Sequence, residues 1–243
     1  MEIKRFFADK ADYADGRIVI SGEEFLHLTK VLRYKTGYKA IVNLDDENDY
    51  LGTVEKIFKD YAVIKVDEIT PNLCRTRAQV TLFQALPKGD KLDYIVQKCV
   101  ELGVKQIVPF TSAYTNETKY NAVRQNRIAL EACKQCGRSL KCEVSPLNDF
   151  EGILKELSGY DTVIMPYEHA TKGSMAKVSG IEAGKKIALI IGSEGGFAPQ
   201  EVEAAKEKGA QIVSLGKRIL RCETAAVIAA GLVMYELGEL KDE

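Results

Sequence analysis

Over residues 1–70, apolar and polar positions alternate in short bursts. Ile3–Phe7 and Arg17–Ile20 read as short strands. Tyr38–Leu44, Tyr50–Phe58 and Tyr61–Ile69 follow, all rich in β-branched and aromatic residues. Between them Phe25, Leu28, Val31 and Leu32 recur at helical spacing, which predicts one helix over Glu23–Arg33. The acidic run Asp45–Asp49 supplies a hairpin turn. Several short strands and one helix predict a small barrel, and Thr70-Pro-Asn-Leu reads as a linker.

From Arg77 the rhythm changes. Strand Val80–Ala85 precedes a helix over Asp90–Leu102, where Leu92, Ile95, Val96, Cys99 and Val100 share one face and Gly103 ends the run. Strand Gln106–Phe110, helix Ala122–Cys136, strands Thr162–Met165 and Lys186–Ile191, helix Pro199–Lys208, strand Gln211–Leu215 and helix Thr224–Leu237 complete the pattern. Strands alternating with helices predict a parallel sheet with helices on its faces.

Composition narrows this only a little. The 243 residues carry a formal net charge of −1 and are 46% hydrophobic, enough for a sizeable core and unlike a disordered chain. Neutrality excludes neither RNA nor a small polar substrate, because basic residues can gather on one face. No apolar run has the length of a membrane span, and MEIKRFFADK does not read as an export signal, so a cytoplasmic protein with reduced cysteines is expected. Cys133-Lys-Gln-Cys136 with Cys142 lacks a second ligand pair for zinc, and helical spacing sets Cys133 and Cys136 beside Leu130 as core residues. No metal site is expected. With His27 and His169 as the sole histidines and no Gly-x-Ser-x-Gly, a hydrolase triad has little support.

The chemistry concentrates near the carboxyl end. The apolar strand Ile187–Ile191 runs into Gly192-Ser-Glu-Gly-Gly196-Phe, and Pro199 then opens a helix. Ligands of open α/β sheets bind at such strand ends, and glycine lets the backbone approach them closely. The segment is neither G-x-G-x-x-G nor a Walker A loop, and Glu194 would repel a phosphate. A tight strand–helix turn with no ligand explains it equally well. The next strand ends in Gly216-Lys-Arg-Ile-Leu-Arg221-Cys-Glu-Thr-Ala225, which sets three cations beside the start of a small-residue helix.

Together these two loops resemble the signature of the SPOUT, or α/β-knot, RNA methyltransferases, and within them the 16S ribosomal RNA (uracil-N3) methyltransferase family. The resemblance extends to Lys91-Leu-Asp, Gln97-Lys98, Glu101-Leu-Gly103, Gln135-Cys-Gly-Arg138, Arg5-x-Phe and His27-Leu-x-x-Val-Leu-Arg33, so it spans most of the chain. It implies an α/β fold: a PUA-like RNA-binding β-barrel over residues 1–72 and a trefoil-knotted parallel sheet, the SPOUT methyltransferase domain, over 73–243. It implies a homodimer, S-adenosylmethionine as methyl donor, and N3 of a uridine in 16S ribosomal RNA or the small ribosomal subunit as target. Cys222 departs from the family, which often has threonine there.

Such a reaction needs a group that stabilises charge on the uracil as N3–H is lost, and arginine suits this because its fork stays charged. Arg221 is the first candidate, with phosphate binding or an ion pair to Glu194 or Glu223 as alternatives. Glu194 is a second candidate, as proton acceptor or cofactor neighbour. For the cofactor the candidates are Ile191, Gly192, Gly196, Leu215, Ile219, Leu220, Thr224 and Ala225, with Met165, Pro166 and Tyr167 as a third wall. For RNA they are Arg5, Lys30, Arg33, Lys88, Lys91 and Arg138, which would give affinity and salt dependence rather than sequence choice. Two rival readings stay open: a non-catalytic RNA-binding protein with a degenerate knot, and a nucleotide-binding α/β enzyme.

Overall fold

The structure is a computed structural model and describes residues 3–241 except 118, 171–172, 176–177 and 179. Two compact units emerge. One holds the residues up to 75 together with 133–141; the other holds 76–132 and those from 142 onward.

The first unit is a six-stranded mixed sheet. Its strands are β1 (Lys4–Phe7), β2 (Tyr13–Ala14), β3 (Arg17–Ser21), β4 (Lys39–Asn43), β5 (Asn48–Ile57) and β6 (Tyr61–Pro71), in the order β1-β4-β5-β6-β3-β2. Only the β1–β4 pairing is parallel. Alternate residues, among them Phe6, Ile18, Ile20, Val42, Val54 and Ile64, form a core with Phe25 and Leu28 of the helical segment. That segment is not one regular helix. Helix α1 (Gly22–Leu26) gives way to a π turn over His27–Val31, and Arg33 ends it at φ 53°.

The expected linker at Thr70-Pro-Asn-Leu is not one at its start. Strand β6 continues through Pro71, paired to Asn48 at the strand end where proline is tolerated. Asn72 is buried, and its amide donates to Asp49 Oδ1 (2.8 Å) and to the Gly137 carbonyl (2.9 Å). The acidic hairpin supplies one partner and the residue after Cys136 the other, neither of which local sequence reveals.

The second unit carries a seven-stranded sheet in which every pairing is parallel. Strands β7 (Gln79–Ala85), β8 (Gln106–Thr111), β9 (Glu143–Val144), β10 (Asn148–Asp149), β11 (Thr162–Pro166), β12 (Lys186–Ile191) and β13 (Ala210–Val213) run β10-β8-β7-β12-β11-β13, with β9 also on β8. Ala188 and Ile190 pack toward helices α4 (Phe150–Glu156) and α5 (Pro199–Glu207). By alternation Ile187, Leu189 and Ile191 point to the other face, where α6 (Cys222–Glu236) lies on β7 and β12 and packs on α2 (Lys91–Glu101). Both faces being covered explains why these strands read as continuous apolar runs. Helix α3 (Ala122–Cys136) forms where its spacing predicts, with its last turn in the first unit.

Helix α4 is missing from the elements expected from sequence, although its Phe150, Ile153 and Leu154, with Leu157 just beyond, recur at helical spacing and pack on the core. The Asp149 side chain caps it by accepting from Gly152 N–H at 2.7 Å. Strand β13 stops at Val213, two residues before the expected end, because Ser214 turns its hydroxyl onto Gly216. None of the six cysteines is in a disulfide; Cys133 is buried and Cys136 half-buried.

Candidate functional site

Strands β12, β11 and β13 are neighbours and parallel, so their carboxyl ends finish at one edge. The chain segments that leave them converge there around a cavity of about 380 Å³. Loop 192–197 forms one wall, Pro166–Glu168 a second, and Ser214–Cys222 with Ala225 of α6 the third.

Glycine is required in the first wall by close approach. A Cβ on Gly192 would meet Gly196 Cα and the Phe197 ring, each at 3.1 Å, so the loop folds back on itself. One on Gly195 would stand 2.6 Å from Tyr114 Cβ. Gly196 has φ +65°, and a side chain there would collide with the Glu168 carboxylate. Strand β7 braces the loop: Gln84 Nε2 donates to the Gly192 carbonyl at 3.2 Å. Ser193 Oγ donates to the Tyr114 carbonyl at 3.3 Å. Helix α5 then starts on Ala198, a poor cap by itself. The buried Glu201 compensates by accepting from Ala198 N–H (2.9 Å) and Ala113 N–H (2.8 Å).

Two carboxylates line the cavity, and they differ. Glu194 accepts from Lys91 Nζ at 2.5 Å and from Lys88 N–H at 3.0 Å. Burial alone would raise its pKa, but those hydrogen bonds and the lysine charge outweigh it and hold the carboxyl below its ordinary value. A carboxylate so stabilised is a weak base, which counts against the expected proton-acceptor role. Glu168 is exposed and makes no ion pair among the described residues. Cys222 also lines the cavity; burial, helped by the neighbouring Glu223 carboxylate, pushes its thiol up to about 12. It stays protonated at neutral pH.

The cation loop remains open. Lys217, Arg218 and Arg221 line the cavity, are exposed, and make no ion pair among the described residues. Arg221 therefore does not take the alternative of pairing with Glu194 or Glu223. It is the N-cap residue of α6, and its carbonyl accepts from Ala225 N–H at 2.8 Å.

Of the residues expected to hold a cofactor, Pro166, Tyr167, Ile191, Gly192, Gly196, Leu215, Ile219, Leu220 and Ala225 meet around the cavity. Met165 does not: it is fully buried and packs in the core under α4 and α5. Thr224 lies outside the lining, on the exposed side of the first turn of α6. Residues missed by sequence reasoning are Ser193, Phe197 and Ser214, and the 112–117 segment that packs on the glycine loop through Tyr114. Ser193 and Phe197 sit inside the glycine motif and Ser214 at a strand end, where a signal existed; the 112–117 segment carries no periodic or motif signal.

Among the expected RNA contacts, Lys30, Arg33 and Lys88 are exposed. Lys91 is bound to Glu194. Arg5 and Arg138 need correction. Arg5 is turned inward onto Asp49 and Asn43 (2.6 Å to Asn43 Oδ1), and Arg138 is 3% exposed. Both build the first unit rather than its surface.

Comparison with known proteins bears directly on this arrangement. A family model described as RNA methyltransferase domain matches residues 74–234, and one described as RNA methyltransferase PUA domain matches 20–67. The chain is 30% identical over 235 residues to ribosomal RNA small subunit methyltransferase E of Bacillus subtilis, covering 92% of each. It is 30% identical over 232 residues to the protein of the same name from Buchnera aphidicola, covering 91% of this chain and 89% of that one. A crystal structure of a ribosomal RNA small subunit methyltransferase E from Neisseria gonorrhoeae bound to S-adenosyl methionine matches with a TM-score of 0.85 at 26% identity, covering 97% of this chain and 98% of that one. The α/β architecture is thus of the SPOUT type with a PUA-like domain before it, as the motifs implied. Glycine loop, cavity and matches agree: the chain belongs to the RNA methyltransferase family.

Proposed function

We propose that this protein methylates N3 of a uridine in 16S ribosomal RNA, with S-adenosylmethionine as donor. One observation carries the reading: three strand-end loops enclose a cavity of mixed polar and apolar lining, with two carboxylates at its edge and three cations on its rim that make no ion pair among the described residues. Such a lining fits the cofactor. Ile191, Leu215, Leu220 and Ala225 offer apolar contact for a flat base, the glycine loop offers backbone, and the carboxylates suit a cationic, amine-bearing ligand. A phosphate ligand is disfavoured, because the loop carries Glu194 and lacks a Walker lysine.

When bound, the donor supplies an activated methyl group on a sulfonium, so the chain's own residues chiefly position the uracil and manage charge. Arg221 holds the uracil edge and stabilises charge spreading to O2 and O4 as N3–H is lost. Glu168, rather than the lysine-bound Glu194, is the carboxylate available to accept that proton. Glu194 acts as cofactor neighbour and, through Lys91, fixes the loop. Lys30, Arg33 and Lys88 contact RNA phosphate, residues 1–72 serving as the RNA-binding part and 73–243 as the catalytic part. Replacing Arg221 with alanine separates the roles. Turnover is expected to fall about 10²–10³-fold, with cofactor affinity by calorimetry changed only a few-fold. Unchanged turnover removes Arg221 from the chemistry.

A homodimer in the cytoplasm completes the reading. Helix α6 is apolar all round, and Ile228, Leu232 and Tyr235 are 46%, 41% and 52% exposed, one stripe at helical spacing. A second copy of the chain is the proposed cover. Among the described residues no helix is long and apolar enough to cross a membrane.

A further inference from the structure

The β5–β6 hairpin carries a feature that neither the fold nor the methyl-transfer site uses. Strand β5 pairs Val54 with Ile64 and then Lys56 with Val63, so an extra residue sits between them. Val54 is fully buried, and Ile57 packs on the same core. Strict alternation from Val54 would send Lys56 and Phe58 inward; the bulge sends them outward instead. Phe58 N–H donates to the Tyr61 carbonyl at 2.8 Å and closes the turn over Lys59 and Asp60. The Phe58 and Tyr61 rings then stack on the surface, centroids 4.5 Å apart and 18° from parallel. Lys56 Nζ stands 4.7 Å from the Phe58 ring centre. Phe58 and Tyr61 are 36% and 38% exposed.

A cross-strand aromatic pair can simply clasp a hairpin. A clasp needs neither the bulge nor a lysine aligned on the stack. A half-open aromatic pair with flanking ammonium groups suits an unpaired nucleotide: the base lies on the ring and the phosphate meets the cation. We propose that Tyr61 and Phe58 form a stacking platform for one unpaired base of the bound RNA, with Lys56 and Lys59 taking the adjoining phosphates. The proposal rests on the RNA reading above and adds a second RNA contact within the first unit, separate from the phosphate contacts of Lys30 and Arg33.

The chain has no tryptophan, so Tyr61→Trp places a single reporter on the platform while keeping a stacking ring. Deproteinised small-subunit ribosomal RNA is the probe, used with the full-length protein. Its addition is expected to quench the tryptophan emission in a saturable, salt-sensitive manner. Tyr61→Ala is expected to weaken RNA binding about ten-fold and Tyr61→Phe to preserve it. The melting transition and cofactor affinity of both serve as the check on folding. RNA binding by the tryptophan variant without a change in emission, or an unchanged Kd in folded Tyr61→Ala, overturns the platform and leaves the RNA reading intact. Failure of the wild-type protein to bind either this RNA or intact small ribosomal subunits at low salt overturns both.

Discussion

Glu194 shows how one residue's surroundings decide its part. Its carboxyl sits at the edge of the cavity, yet Lys91 and the Lys88 amide hold it ionised. Because its folded pKa is depressed, the stability it contributes is present above the ordinary glutamate value of roughly 4.3 and is lost as pH falls through the lower folded value. The group is about one-third exposed, so screening limits the effect to about 1 kcal/mol or less. Urea unfolding of wild type and Glu194→Gln is expected to differ by a constant amount from pH 7 to pH 5. The two should converge as pH falls toward 3. A difference that persists undiminished at the acid end would mean the carboxylate is not held this way. The arginines teach the converse. Arg221 was legible because it follows a strand end in a motif of three cations, and it does rim the cavity. Arg5 and Arg138 carry the same side chain but are turned inward, by Asp49 in the case of Arg5, more than forty residues along. Burial of a charge depends on a distant partner, so composition and spacing could not reveal it.

At the scale of elements, hydrophobic period located the long strands and helices of the parallel sheet, because elements covered on both faces have strong, unmixed patterns. It failed where a side chain, not a period, sets the boundary. Ser214 ends β13, and the π turn His27–Val31 interrupts an apparently regular helix. The cavity itself was legible as two loops, and its remaining wall at Pro166 and Tyr167 through the family resemblance; the Tyr114 brace depends on which strands lie side by side, which sequence order does not state. Helix α6 is the element whose pattern exceeds its known packing. Its stripe of Ile228, Leu232 and Tyr235 is left over after α2, β7 and β12 are covered. Leu232→Lys with Ile228→Glu is expected to turn a dimer into a monomer in light scattering after gel filtration, with the thermal transition lowered. A wild-type monomer at micromolar concentration would contradict the dimer.

For the whole molecule, a near-neutral chain of 243 residues combines an RNA methyltransferase PUA domain and an RNA methyltransferase domain. Net charge is therefore a poor guide to its substrate. The cations proposed to meet the RNA are few and local: the rim of the cavity, the surface around Lys30 and Arg33, and Lys56 beside the Phe58–Tyr61 stack. The proposed cofactor cavity, charge-stabilising arginine and RNA contacts fit together in transfer of a methyl group to a base of ribosomal RNA. Small ribosomal subunits from cells lacking this protein, incubated with it and methyl-labelled S-adenosylmethionine, then digested to nucleosides and resolved by mass spectrometry, should yield label in 3-methyluridine from a single position of the 16S RNA. Label in any other nucleoside, or none at all, would contradict the proposed function.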